Sequence, residues 1–128
     1  MCTRIYEVQQ KIYQQLNDSA LSASVYDYVP ENTATPYVTF GTINSLSTSD
    51  KIAHGETVTL TIDVWSMSKG RKETVTIISE IEEALMIDIE LDTADVLAQK
   101  IISREVFEEQ YGLYHGEIEI EVMIDWNE

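Results

Sequence analysis

The segment Glu117–Trp126 constrains the fold more than any other part of the chain. Ile118, Ile120, Val122, Ile124 and Trp126 alternate with Glu117, Glu119, Glu121 and Asp125. Successive side chains of a strand point to opposite faces, so this pattern specifies a β-strand with one buried and one wet face. Residues 56–65 repeat the pattern, with Val58, Leu60, Ile62 and Val64 on one side and Thr57, Thr59, Thr61 and Asp63 on the other. Two such strands, rich in β-branched residues, imply an antiparallel sheet covered on one side only.

The cover has to come from helices. Ile5, Val8, Ile12 and Leu16 recur at helical spacing over residues 4–17, with Thr3 placed to cap the start. Residues 69–86 predict a second helix, with Val75, Ile78, Ile81 and Leu85 as its apolar stripe. Ile77 and Ala84 widen that stripe, Ser68 is placed as its cap and Gly70 in its first turn. Residues 25–29 and the segment from Tyr37 read as strands, with Val38 and Phe40 on one face. Asn44 to His54 reads as a polar loop. Residues 87–91 read as a weak strand. Residues 97–108 read as another strand with imperfect alternation, with Leu97, Ile101 and Phe107 inward and Lys100 and Arg104 outward. A turn at 110–113 leads into the last strand. The order α-β-β-β-α-β-β predicts one α+β domain over residues 1–128, a single antiparallel sheet with two helices packed on one face.

A chain of 128 residues is long enough to bury one proper core, and 44% hydrophobic residues suit a folded protein. No apolar run approaches the ~20 residues that span a bilayer. The first residues turn polar too early for a signal peptide, which places synthesis and assembly in a cytoplasm. Cys2 is the sole cysteine, so no internal disulfide is expected. Eight Lys+Arg against 23 Asp+Glu give a formal net charge of −15. Such a field disfavours generic binding to nucleic acid or anionic membranes. It suits solubility, and also a surface that must sit near DNA without gripping it.

Catalytic chemistry finds little purchase. His54 and His115 both abut glycine and read as turn residues, with no nucleophile motif around them. Asp88, Glu90, Asp92 and Asp95 lack the glycine and spacing of a calcium loop and read as a solvated link. No metal or cofactor is expected. Lys69, Arg71 and Lys72 form a basic cluster that either faces an anionic partner surface or is simply a charged first helical turn. Glu117, Glu119 and Glu121 line one strand face roughly 7 Å apart. Each neighbouring repulsion is only about 0.6 kcal/mol in water. A wet face tolerates that, particularly with Lys100 or Arg104 on an adjacent strand, and the alternative is a face turned to a DNA channel.

Several of these pieces resemble, in order and spacing, the tail-completion (tail-to-head joining) proteins of long-tailed bacteriophages. They are the leading helix, Pro36-Tyr37-Val38-Thr39-Phe40-Gly41, and Val58-Thr59-Leu60-Thr61 running on to Trp65-Ser66. The Gly70-Arg71 helix entry and Tyr114-His115-Gly116 before the closing strand complete the set. The likeness covers nearly the whole chain, although the acidity of the last strand and of residues 87–95 departs from it. It implies a structural virion protein without enzymatic activity, in a hexameric ring at the head-proximal end of the tail. Such a ring caps the tail tube, docks on the head connector or stopper, and lets DNA pass without specific binding. On this reading Asn44, Ser47, Asp50, Lys51 and His54 reach a neighbouring subunit or the connector. Glu117, Glu119 and Glu121 face the channel, and Lys69, Arg71 and Lys72 face a partner. An acidic DNA-mimic inhibitor of a DNA-binding enzyme is the alternative; a small enzyme would need a polar constellation that the sequence does not display.

Overall fold

The computed structural model describes residues 2–49 and 54–126. Helix α1 (Ile5–Asn17) leads to strands β1 (Ser24–Tyr26), β2 (Tyr37–Ser49) and β3 (His54–Ser66). Helix α2 (Lys72–Ala84) follows, and then β4 (Ala94–Gln110) and β5 (Leu113–Trp126). The strands form one five-stranded sheet in the order β1-β2-β3-β5-β4. All neighbours are antiparallel except β1 and β2, which run parallel. The expected all-antiparallel sheet is corrected there. After Tyr26 the chain travels back along residues 27–36 before re-entering at Tyr37, so both strands start from the same end.

The alternation that specified β3 and β5 is reproduced in their pairing. Val64, Ile62, Leu60 and Val58 lie across from Gly116, Ile118, Ile120 and Val122. Each of these apolar residues is fully buried. Val8, Ile12 and Leu16 of α1 and Ile77, Ile78 and Ile81 of α2 belong to the same buried cluster. Helices and sheet therefore share one core, built from side chains spaced 2 apart on the strands and 3–4 apart on the helices.

Helix α2 is rotated from its expected orientation. Val75 is exposed, and Thr74 takes its place among the buried residues with Ile77, Ile78 and Ile81. Gly116 gives the reason. A Cβ there would lie 2.7 Å from Thr74 Cγ2 and 2.9 Å from Ile78 Cδ1, so the helix rests directly on the bare strand. A Gly116→Val chain is expected to lose about 2 kcal/mol, the scale of overpacking a filled core. The loss would be read as a lower urea midpoint with unchanged slope.

Other expectations are also corrected. Arg71 occupies the N-cap of α2 and Arg4 that of α1, neither with a side-chain cap, in place of Ser68 and Thr3. Gly70 precedes α2 at φ +79°. Residues 87–91 form no strand, because Gln99 holds that backbone by side-chain bonds. Its Oε1 accepts from Ile89 N–H at 2.9 Å, and its Nε2 donates to the Leu85 carbonyl at 3.0 Å. Strand β4 carries three register shifts, and these broke its alternation. Leu97 falls at one of them and is exposed. Phe107 lies against His115 on the face away from the core. Arg104 pairs with Glu82 of α2 and not with the carboxylates of β5. The predicted polar loop is largely a ladder: β2 continues through Asn44 to Ser49 and pairs with β3 back to His54. Serine and threonine side chains do not hinder a strand whose bonds are made by the backbone.

Candidate functional site

The open face of the sheet and the two ends of its long axis are where the chain offers chemistry. Cross-strand registers arrange the open face in rows. Tyr37, Trp65, His115 and Phe107 form an aromatic row at one end. Thr39, Asp63, Glu117 and Glu105 form the next row, Asn44, Thr59, Glu121 and Lys100 a later one. Leu46, Thr57, Met123 and Ala98 close the other end, with Leu46 and Met123 exposed. Glu117, Glu119 and Glu121 are half-buried on this face. Lys100 Nζ stands 3.5 Å from Glu121, the partial relief anticipated for that strand.

His115 is a strand residue and not a turn residue, and it is buried. Its ring stacks on Trp65 with centroids 3.9 Å apart and planes 19° apart, and touches Phe107 at 4.9 Å. Nδ1 lies 2.9 Å from Glu109 Oε2 and Nε2 lies 2.8 Å from Asp63 Oδ1. Glu117 Oε1 is 3.8 Å from Nε2. Burial alone would lower the imidazole pKa. The hydrogen bonds and charges of Asp63 and Glu109 outweigh it, and the net shift is upward. Asp63 owes its place to Gly41 in the irregular stretch of β2, where a Cβ would come within 2.5 Å of Asp63 Oδ2. Asp63, His115 and Glu117 hold ligand atoms within 4.8 Å of one another. Sequence parity placed Asp63 and Glu117 on the wet faces of their strands. The pairing of those strands, which makes them neighbours, was not visible.

A second buried acid organises the arm formed by the distal halves of β2 and β3. Glu56 is 1% exposed. Its carboxylate accepts hydrogen bonds from Thr3 Oγ1, Arg4 N–H, Ser45 Oγ and Trp126 Nε1. Burial raises its pKa, but these four donors outweigh it and hold the carboxyl below its ordinary value. One side chain thus ties the entry to α1, the arm and the end of β5 together. Parity put Glu56 on the Val58 face; nothing local announced its partners.

The residues expected to meet partners lie at opposite ends. Asn44 and Ser47 sit on the arm, exposed, on opposite faces of β2, and His54 opens β3. Asp50 and Lys51 lie outside the described residues. Lys69, Arg71 and Lys72 are exposed at the entry to α2, with the Arg71 guanidinium 5.4 Å from the centre of the Tyr114 ring. β3 spans about 40 Å between its ends at ~3.3 Å per residue, with Ser47 opposite Glu56 and Asn44 opposite Thr59 along it. Asp88, Glu90, Asp92 and Asp95 are exposed, and Lys11 Nζ reaches Asp92 at 3.4 Å. Cys2 is exposed. No helix among the described residues is long and apolar enough to cross a membrane.

A family model described as tail completion protein gp17 matches residues 10–125. A solved chain from the virion of a native gene transfer agent particle has a similar fold, with a TM-score of 0.85 and 21% identity. The match covers 94% of this chain and 96% of that one. At that identity the likeness speaks to fold alone. No curated protein matches the chain.

Proposed function

Because this chain belongs to the tail completion protein gp17 family of phage tail structural proteins, we propose that it joins the tail to the head as a closed ring. The ring is hexameric and sits at the head-proximal end of the tail. It caps the tail tube protein on one side and meets the head connector or stopper on the other, after assembly in the host cytoplasm. The observation that carries this reading is the separation of two exposed regions along one sheet. The arm with Leu46 and Met123 marks one end and the basic entry to α2 the other, about 30 Å apart along β3 from Thr57 to Ser66. A joining protein needs two such regions. Contacts that close a ring are head-to-tail, one surface against a different one.

The open face with Glu117, Glu119 and Glu121 turns to the channel, where carboxylates keep phosphates from sticking as DNA passes. Its lack of helical cover supports that orientation. Residues 1–128 act as one unit with both helices on the other face. Two facts support this arrangement: α2 rests on Gly116, and α1 contributes to the same buried cluster. The basic cluster Lys69, Arg71 and Lys72 meets an acidic partner surface.

The test is electron microscopy of a lysate made with this gene disabled. DNA-filled heads separate from unattached tails are expected, and overlong tails would add a role in ending tail growth. Normal infectious particles would overturn the reading and favour an acidic mimic of DNA.

A further inference from the structure

We propose that Asp63, His115 and Glu117 form a binding site for a first-row transition-metal ion of the zinc class. The site lies on the open sheet face. When Glu109 accepts the Nδ1 hydrogen of His115, the lone pair of Nε2 points at Asp63 Oδ1, 2.8 Å away, and towards Glu117 Oε1, 3.8 Å away. A lone pair facing two carboxylates is repelled by them, and a cation among the three removes that repulsion. Among the described residues, no lysine or arginine forms an ion pair with Asp63, Glu109 or Glu117, and Glu105 lies directly across from Glu117. A proton on Nε2 supplies one positive charge to this group, and a divalent ion supplies two.

The geometry also admits the ion. Metal–ligand bonds of about 2.0–2.2 Å put tetrahedral ligand atoms roughly 3.3–3.6 Å apart. The observed 2.8 and 3.8 Å bracket that separation, so small side-chain adjustments suffice. The carboxylate behind the imidazole, Glu109, is the partner that orients metal-bound histidines and makes them more basic. Stacking on Trp65 and contact with Phe107 fix the ring before any ion arrives. Gly41 leaves the space that the Asp63 carboxylate occupies. One imidazole with two carboxylates suits zinc and its neighbours better than magnesium or calcium, which prefer oxygen alone. Water completes the coordination on the exposed side.

The experiment uses the full chain after chelator treatment, titrated with zinc chloride and followed by calorimetry, elemental analysis and thermal melting. One ion per chain is expected, with a melting temperature raised by about 5–10 °C at hundredfold excess over Kd. Asp63→Asn and Glu117→Gln each lower affinity at least tenfold. Glu109→Gln, acting through the imidazole, lowers it by about 10–100-fold. Glu119→Gln, on the same face but away from the histidine, leaves binding unchanged. Glu117 is half-exposed, so its variant decides the matter even if Asp63→Asn fails to fold. Absence of binding tighter than about 10 μM would overturn the proposal in favour of a protonated histidine. Equal weakening by Glu119→Gln would overturn it in favour of a diffuse acidic field, and equally tight magnesium would refute the metal class. The isolated chain suffices, so the result is independent of whether a ring joins head to tail.

Discussion

A Glu56→Ala chain is expected to unfold about 10 °C below the parent, a loss of about 3 kcal/mol for a domain of this size. The carboxylate is 1% exposed and accepts from Thr3, Arg4, Ser45 and Trp126. Alanine leaves all four donors without their acceptor, and each buried donor so abandoned costs about 1–3 kcal/mol. The total falls below four times that range, because Thr3 is exposed and Arg4 half-buried, so both can turn to water. Glu56→Gln keeps one acceptor oxygen and should lose about half as much.

The same group sets an acid limit. Its folded pKa is lowered, so the stability it contributes is complete above its unfolded value, near 4.5, and fades as pH falls through the lower folded value. The parent should therefore lose stability below about pH 4.5, and Glu56→Gln should lose less over that window. A thermal-melting series against pH reads both. Parallel curves for the two chains would show that Glu56 does not drive the acid loss.

The second large effect concerns the arm. Excising residues 48–55 and closing Ser47 to Glu56 with Asn-Gly keeps a directly opposed pair joined by a favoured two-residue turn. Ser45 and Glu56 both remain, so the tie to α1 and β5 survives. The shortened chain is expected to fold with near-parent circular dichroism and to leave heads and tails unjoined. Infectious titre should drop to that of a lysate with the gene disabled. Normal joining by the shortened protein would remove the arm from the docking surface. It would also leave the two-ended reading of the sheet without one of its ends.

The parts of the fold that were legible share one property: their signal is local and periodic. β5 and β3 announced themselves because every second residue is apolar, and α1 because Ile5, Val8, Ile12 and Leu16 follow the helical repeat. β4 was blurred by three register shifts, each of which reverses the face of the residues beyond it. The arm was mistaken for a loop because its serines and threonines look like turn residues, while the ladder that holds it is made by backbone groups. α2 was found, but its rotation was not, since that depended on a bare Gly116 in a strand 38 residues beyond Ile78.

By itself the sequence determined the α+β class, the buried face of the sheet, the acidic character of the open one and the family. All of these are carried by spacing and order along the chain. Only the tertiary structure decided where the single charges go. His115 meets Asp63 and Glu56 meets Thr3 across more than fifty residues. Such meetings depend on strand register, and a hydrogen bond between distant residues leaves no periodic trace in either partner's neighbourhood.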